Sequence, residues 1–145
     1  MRVTIDTNVF YQSLRDNRGA SFFILDLIVQ RKIELALSTP VFMEYSDVLL
    51  REKSRKDLDL STENINAFLD FIVLVATPFS INYLMRPNLQ DENDNLFVDL
   101  AFASNSKFLI TSNLKDFNSN KNLRFDSFTV ISPTDYVKFW RKEYE

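Results

Sequence analysis

The sequence predicts an α/β domain with a central, mainly parallel sheet and helices on both faces. Short aliphatic, β-branched runs alternate with longer helical stretches along all 145 residues. At 46% hydrophobic residues, the chain is apolar enough to fold and long enough for one domain, residues 1–145, around a proper core. No internal repeat interrupts the alternation, and with one glycine and four prolines the turns fall mostly to Asn, Asp and Ser.

The first strand is residues 2–5 (RVTI), which runs straight into Asp6 with no turn residue between. Residues 21–30 (SFFILDLIVQ) are almost all apolar and predict a buried helix. Residues 33–37 (IELAL) alternate and predict a second strand. Ser38, Thr39 and Pro40 give a hydroxyl cap followed by an early helical proline. The helix they open carries Val41, Phe42, Tyr45, Val48 and Leu49 at helical spacing. Residues 59–76 predict another helix, capped by Ser61 or Thr62, and residues 79–83 (FSINY) a short strand. After a loop at 87–93, residues 95–104 predict a helix and 107–111 (KFLIT) a strand. Residues 113–124 read as a loop with at most one turn, and 127–132 as the last strand. Pro133 opens a terminal helix with Tyr136, Val137, Phe139 and Trp140 on its apolar side.

Composition narrows the chemistry. The chain has no cysteine and no histidine, which excludes disulfides, thiolate or imidazole metal sites and histidine-based triads within it. Catalysis must rest on carboxylates, hydroxyls, amides, Lys, Arg or Tyr. No apolar run reaches the ~18 residues of a membrane span. Asp6 and Asn8 stand where a signal peptide would be apolar, so a cytoplasmic protein is expected. The net charge of −3 gives no global nucleic-acid footprint. Local cations remain: Arg15, Arg18, and the run REKSRK with Arg51, Lys53, Arg55 and Lys56. That run also fits a solvated helix end and loop.

Four places put carboxylate or amide oxygens near strand ends or early helical turns. They are Asp6 with Asn8, Glu44, the stretch Asp91-Glu92-Asn93-Asp94-Asn95, and Asn113 with Asp116. Asp99 follows Asp94 by one and a half turns of helix, within reach of a supporting role. In open parallel sheets, ligands bind outside the carboxyl ends of the strands, where Asp6 and residues 112–116 are expected. Several carboxylates drawn together stay ionised only around a cation. All-oxygen ligation suits Mg²⁺ or Mn²⁺. Each residue has a plainer role open to it: Asp6 as a helix cap, Glu44 as a dipole-favoured early glutamate, Asp94 as an N-cap, Asn113 and Asp116 as turn residues.

The sequence resembles the PIN-domain nucleases over nearly its whole length. IDTNVF is similar to that family's first strand with its catalytic aspartate, here Asp6. PVFMEYSDVLL resembles the helix whose glutamate binds metal, here Glu44. DENDNLFVDLAFA resembles the acidic segment and following helix, placing the third acid on Asp94. TSNLKDF resembles the strand-end motif with a hydroxyl, an Asn or Asp, and an Asp-Phe pair, placing the fourth site on Asn113 and Asp116. Asn113 stands where some members carry Asp, and Asn95 is likewise an amide, which weakens a second metal position.

The resemblance implies a PIN-like α/β/α sandwich and Mg²⁺- or Mn²⁺-dependent cleavage of single-stranded RNA, with the toxins of toxin–antitoxin pairs as the most similar subgroup. Asp6, Glu44, Asp94 and Asp116 are then the expected metal ligands and Asn113 a further catalytic residue. Asn8, Asp91, Asp99, Thr111 and Ser112 would support them, and the cations named above would contact the RNA backbone. The expected partners are RNA, an antitoxin protein and a second copy of the chain, the last through residues 64–76; no membrane is expected. The competing readings are a PIN-like binding or scaffold domain with little catalysis, and a phosphatase or DNA nuclease using the same acids.

Overall fold

The computed structural model describes residues 1–81, 92–118 and 127–145. Five parallel strands lie in the order β3-β2-β1-β4-β5: β1 (Arg2–Ile5), β2 (Glu34–Leu37), β3 (Thr77–Pro78), β4 (Phe108–Ile110) and β5 (Thr129–Ile131). Among the described residues the helices are α1 (Thr7–Arg15), α2 (Ala20–Val29), α3 (Thr39–Leu49), α4 (Glu52–Leu58), α5 (Thr62–Val75), α6 (Glu92–Ala103), α7 (Leu114–Asn118) and α8 (Pro133–Tyr144). Helices cover both faces of the sheet, so the expected α/β/α sandwich holds, with every strand pair parallel.

β1 lies at the centre. The chain first steps outward through β2 to β3, then crosses to β4 and β5 on the other side. The order therefore reverses between β1 and β4, the position where such sheets open a crevice at their carboxyl ends. Val3, Ile5, Leu35, Leu109 and Ile110 are fully buried in the middle layer, as parallel strands covered on both faces must be.

Several elements differ from their sequence-based limits. α1 starts directly after Asp6, an amphipathic helix that buries Val9 and Phe10. α2 is partly exposed, not buried throughout: it packs mainly against α1 and α8 and leaves Phe22 and Val29 to solvent. The run REKSRK is a separate short helix, α4, stabilised by a Lys56–Glu52 pair at 3.0 Å. Asp59 is not in α5: it closes α4 in the left-handed conformation at φ 55°. α5 begins after Ser61, whose Oγ accepts from Asn64 N (3.1 Å) while Asn64 Oδ1 accepts from Ser61 N (3.2 Å), a reciprocal box. The third strand is Thr77–Pro78, earlier than 79–83. Only Phe79 N extends it, donating to Leu37 O at 2.8 Å. Within 113–124, α7 forms a single helical turn. The expected loop at 87–93 lies mostly outside the described residues.

Candidate functional site

Asp6 sits at the end of β1, held in the ladder by its own N–H, which donates to Ile110 O at 2.9 Å. It occupies the N-cap position of α1, yet its side chain makes no capping bond. The carboxylate instead turns toward the end of β4. Its Oδ2 accepts from Thr111 Oγ1 at 2.7 Å and from Asn8 Nδ2 at 3.1 Å. Both donors are themselves held by the loop after β4. Asn113 N donates to Thr111 Oγ1 (3.0 Å), and Ser112 N donates to Asn8 Oδ1 (3.2 Å). Two hydrogen-bonded chains thus run from residues 112–113 to one oxygen of Asp6, across the place where the sheet order reverses.

Asp6 is only 6% exposed. Burial holds its carboxyl above the ordinary 3.8. The bonds from Thr111, the Thr7 N–H and Asn8 oppose that rise, and the nearby negative charge of Asp116 adds to it. None of the ion pairs among the described residues includes Asp6. A buried carboxylate stiffened by neutral donors and faced by a second carboxylate is not the arrangement of a structural ion pair. Next to it, Thr7 Oγ1 is buried with no hydrogen-bond partner among the described residues.

The other sequence-derived residues fall as follows. Glu44 is half-buried at the sixth position of α3, past the first turn where a dipole-favoured glutamate would sit. α3, the helix that carries Glu44, packs against α1 and α6. Asp99 is buried on α6 at 3% exposure, and Thr111 is fully buried. Ser112, Asn113 and Asp116 are exposed. Asp116 lies in the first turn of α7, close enough for its charge to act on Asp6. Asp91 lies outside the described residues, and so does the side chain of Asp94, although Asp94 falls within α6. Among the described residues no three carboxylates gather into a metal-holding group.

The cations are less free than the sequence suggests. Arg15 pairs with Asp57 at 2.8 Å, Arg18 with Asp16 at 3.3 Å, and Arg51 with Asp47 at 2.7 Å; Arg55 Nε donates to Leu50 O at 3.1 Å. Lys53 lies near Asp57. Arg15 and Arg18 line a broad cleft of about 930 Å³. A neighbouring cleft of about 350 Å³ shares Gln12 and Asp16 with it and reaches Ser112.

Residues 2–115 match the PIN domain family. The chain belongs to the PIN-domain family. It is 32% identical to the uncharacterized protein MJ1680 of Methanocaldococcus jannaschii, over 98% of this chain and 93% of that protein. The crystal structure of VapBC2 from Rickettsia felis bound to a DNA fragment from its promoter has a chain that superposes with a TM-score of 0.58. That match covers 91% of this chain and 98% of the other at 19% identity, a likeness of fold. The family is one of nucleases, and the strand-end carboxylate of this PIN domain stands where the sheet topology opens its crevice.

One residue near the site was missed in the sequence as anything but core. The hydroxyl of Tyr45 donates to Ile5 O, one peptide before Asp6. Its helical spacing signals burial, and nothing in the pattern distinguishes a phenol from a phenyl ring there.

Proposed function

We propose that this PIN domain is a metal-dependent endoribonuclease acting on single-stranded RNA, the toxin of a toxin–antitoxin pair. The observation that carries the reading is Asp6: a buried strand-end carboxylate with no ion-pair partner among the described residues, braced on one oxygen by Thr111 and Asn8. Asp6, Glu44, Asp94 and Asp116 would hold Mg²⁺ or Mn²⁺. A divalent ion there supplies charge stabilisation at a phosphodiester and lowers the pKa of a bound water.

The chain's own residues do the rest. Thr111 and Asn8, both donating to Oδ2, hold the Asp6 carboxylate in one orientation. Asp99 lies buried on α6, the helix that carries Asp94, and would support it from there. Asn113 stands at the mouth, where its amide orients a water or a phosphate. Arg15, Arg18, Arg51, Lys53, Arg55 and Lys56 contribute backbone contacts that carry affinity without sequence information. The toxin role is supported by the fold shared with a chain of VapBC2, a protein seen bound to a DNA fragment from its promoter.

A catalytically weak binding domain is the reading to set against this one, and Asn113 in place of a carboxylate favours it. The test is cleavage of mixed RNA, single-stranded DNA and duplex DNA with Mn²⁺ or Mg²⁺ against EDTA. RNA loss stopped by EDTA and abolished in Asp6→Asn is the expected outcome. Millimolar Mn²⁺ should also raise the Tm of wild type, and less so that of Glu44→Gln or Asp94→Asn. No cleavage with either metal supports the binding domain.

A further inference from the structure

Tyr45 stands next to Glu44 in α3, and its hydroxyl donates to the carbonyl of Ile5, the residue before Asp6. The two candidate ligands are therefore joined by a short covalent path closed by one hydrogen bond: Asp6, Ile5, Tyr45, Glu44. Strand geometry explains why that carbonyl is available. Along β1 the carbonyls alternate, with Met1 O accepting from Glu34 N on the β2 side (2.8 Å) and Arg2 O from Lys107 N on the β4 side (2.9 Å). Ile5 O thus faces β2. The β1–β2 pairing runs only through Arg2 and Val3, so beyond it the two strands have parted. The phenol fills the place of the missing ladder donor.

The ring makes the same junction from its other edges. It meets Phe10 of α1 edge-on, with centroids 5.1 Å apart, and Phe97 of α6 at 6.2 Å. α1 follows Asp6 and carries Asn8, and α6 carries Asp94 and Asp99. A single fully buried side chain thus contacts the three other elements on which those candidate acids are built, while its own helix carries Glu44. Burial also keeps the phenol protonated, so the bond is a permanent donor rather than a switch.

We propose that Tyr45 is a positioning residue, whose hydroxyl sets the separation of Glu44 from Asp6 and so the affinity of the site for its divalent ion. This rests on the metal reading above. Groups outside the ligand shell that orient ligands alter metal affinity by about 10–100-fold when removed. Tyr45→Phe keeps the ring and deletes only the donor. By calorimetry without RNA, it is expected to bind Mn²⁺ about tenfold more weakly than wild type.

A general loss of stability is controlled by Ser106→Ala. That change removes a buried hydroxyl bonded to Thr4 Oγ1 (2.9 Å) and Ser104 Oγ (2.7 Å), one residue before Lys107 and so toward the opposite end of the sheet. Ser106→Ala should lower Tm and bind Mn²⁺ as wild type does. In a Glu44→Gln background, Tyr45→Phe should cause no further loss, because it acts through Glu44. Equal Mn²⁺ affinity in Tyr45→Phe and wild type, or an undiminished further loss in the Glu44→Gln background, overturns the positioning role alone. A wild type that takes up no Mn²⁺ overturns the metal reading, and this role with it.

Discussion

At the scale of one residue, Asp6 shows what a strand-end carboxylate costs and what makes it worth placing. Its carboxyl is raised above 3.8 mainly by burial, so the folded state holds the proton more tightly than the unfolded chain does. The stability linked to that proton is complete below about 3.8 and is lost as pH rises through the folded value. At neutral pH and without metal, the ionised Asp6 therefore opposes folding. Asp6→Asn is fixed in the neutral form and should melt higher than wild type in EDTA at pH 7, with the advantage shrinking as pH falls toward 3.8. Thermal melts across that window check it, and a variant less stable at pH 7 would mean that Thr111 and Asn8 compensate the charge fully. The sequence located this residue from its abrupt arrival after RVTI. It did not disclose the two chains from residues 112–113, because register between β1 and β4 decides which loop faces Asp6. Position in the chain says nothing of that register.

Elements with explicit end signals were legible, and those defined by packing were not. Ser38 before Pro40 marked α3, and its Oγ does accept from Val41 N at 3.3 Å. Pro133 marked the start of α8, where Ser132, read only as the end of the last strand, caps the helix by accepting from Asp135 N at 3.1 Å. By contrast, α4 was hidden in a run of charges. Its seven residues bury only Ser54 and Leu58, too few to write a helical period. β3 is two residues long and exists because Leu37 O accepts from Phe79 N, a long-range event with no local signature. The reciprocal box at the start of α5 makes that boundary testable. Ser61→Ala removes one half of it and should cost about 1 kcal/mol, read as a fall in Tm of roughly 3–4 °C. An unchanged melt would place the start of α5 under tertiary control instead.

At the scale of the molecule, the question is where the surplus of apolar side chains goes. Fourteen phenylalanines in 145 residues exceed what the central sheet needs. Most are absorbed: Phe10, Phe97 and Phe117 are essentially fully buried, and Phe68 packs edge-on to Phe10 at 5.7 Å. Phe68 and Phe71, within the stretch 64–76 expected to carry the contact with a second copy, are partly buried and pack against the core. The exposed large apolar residues of that helix are Val73 at 53% and Leu74 at 75%. Val73 also lines an apolar hollow with Leu37, Phe42, Pro78 and Phe79 beside β3. Among the described residues β3 ends the sheet, and no described strand pairs with its outer backbone edge. An apolar rim along an open edge suits a second copy of the same chain, because an isologous contact would cover both rims at once. We expect a homodimer formed through Val73, Leu74 and the β3 edge. In light scattering at micromolar concentration, wild type should give twice the 17.0 kDa of the chain. Leu74→Asp should fall to 17.0 kDa with its Tm little changed, since the side chain is mostly solvated already. Phe22→Asp, on the exposed side of α2, should remain dimeric and serves as the control. A monomeric wild type, or a Leu74→Asp that stays dimeric, would remove α5 from the interface.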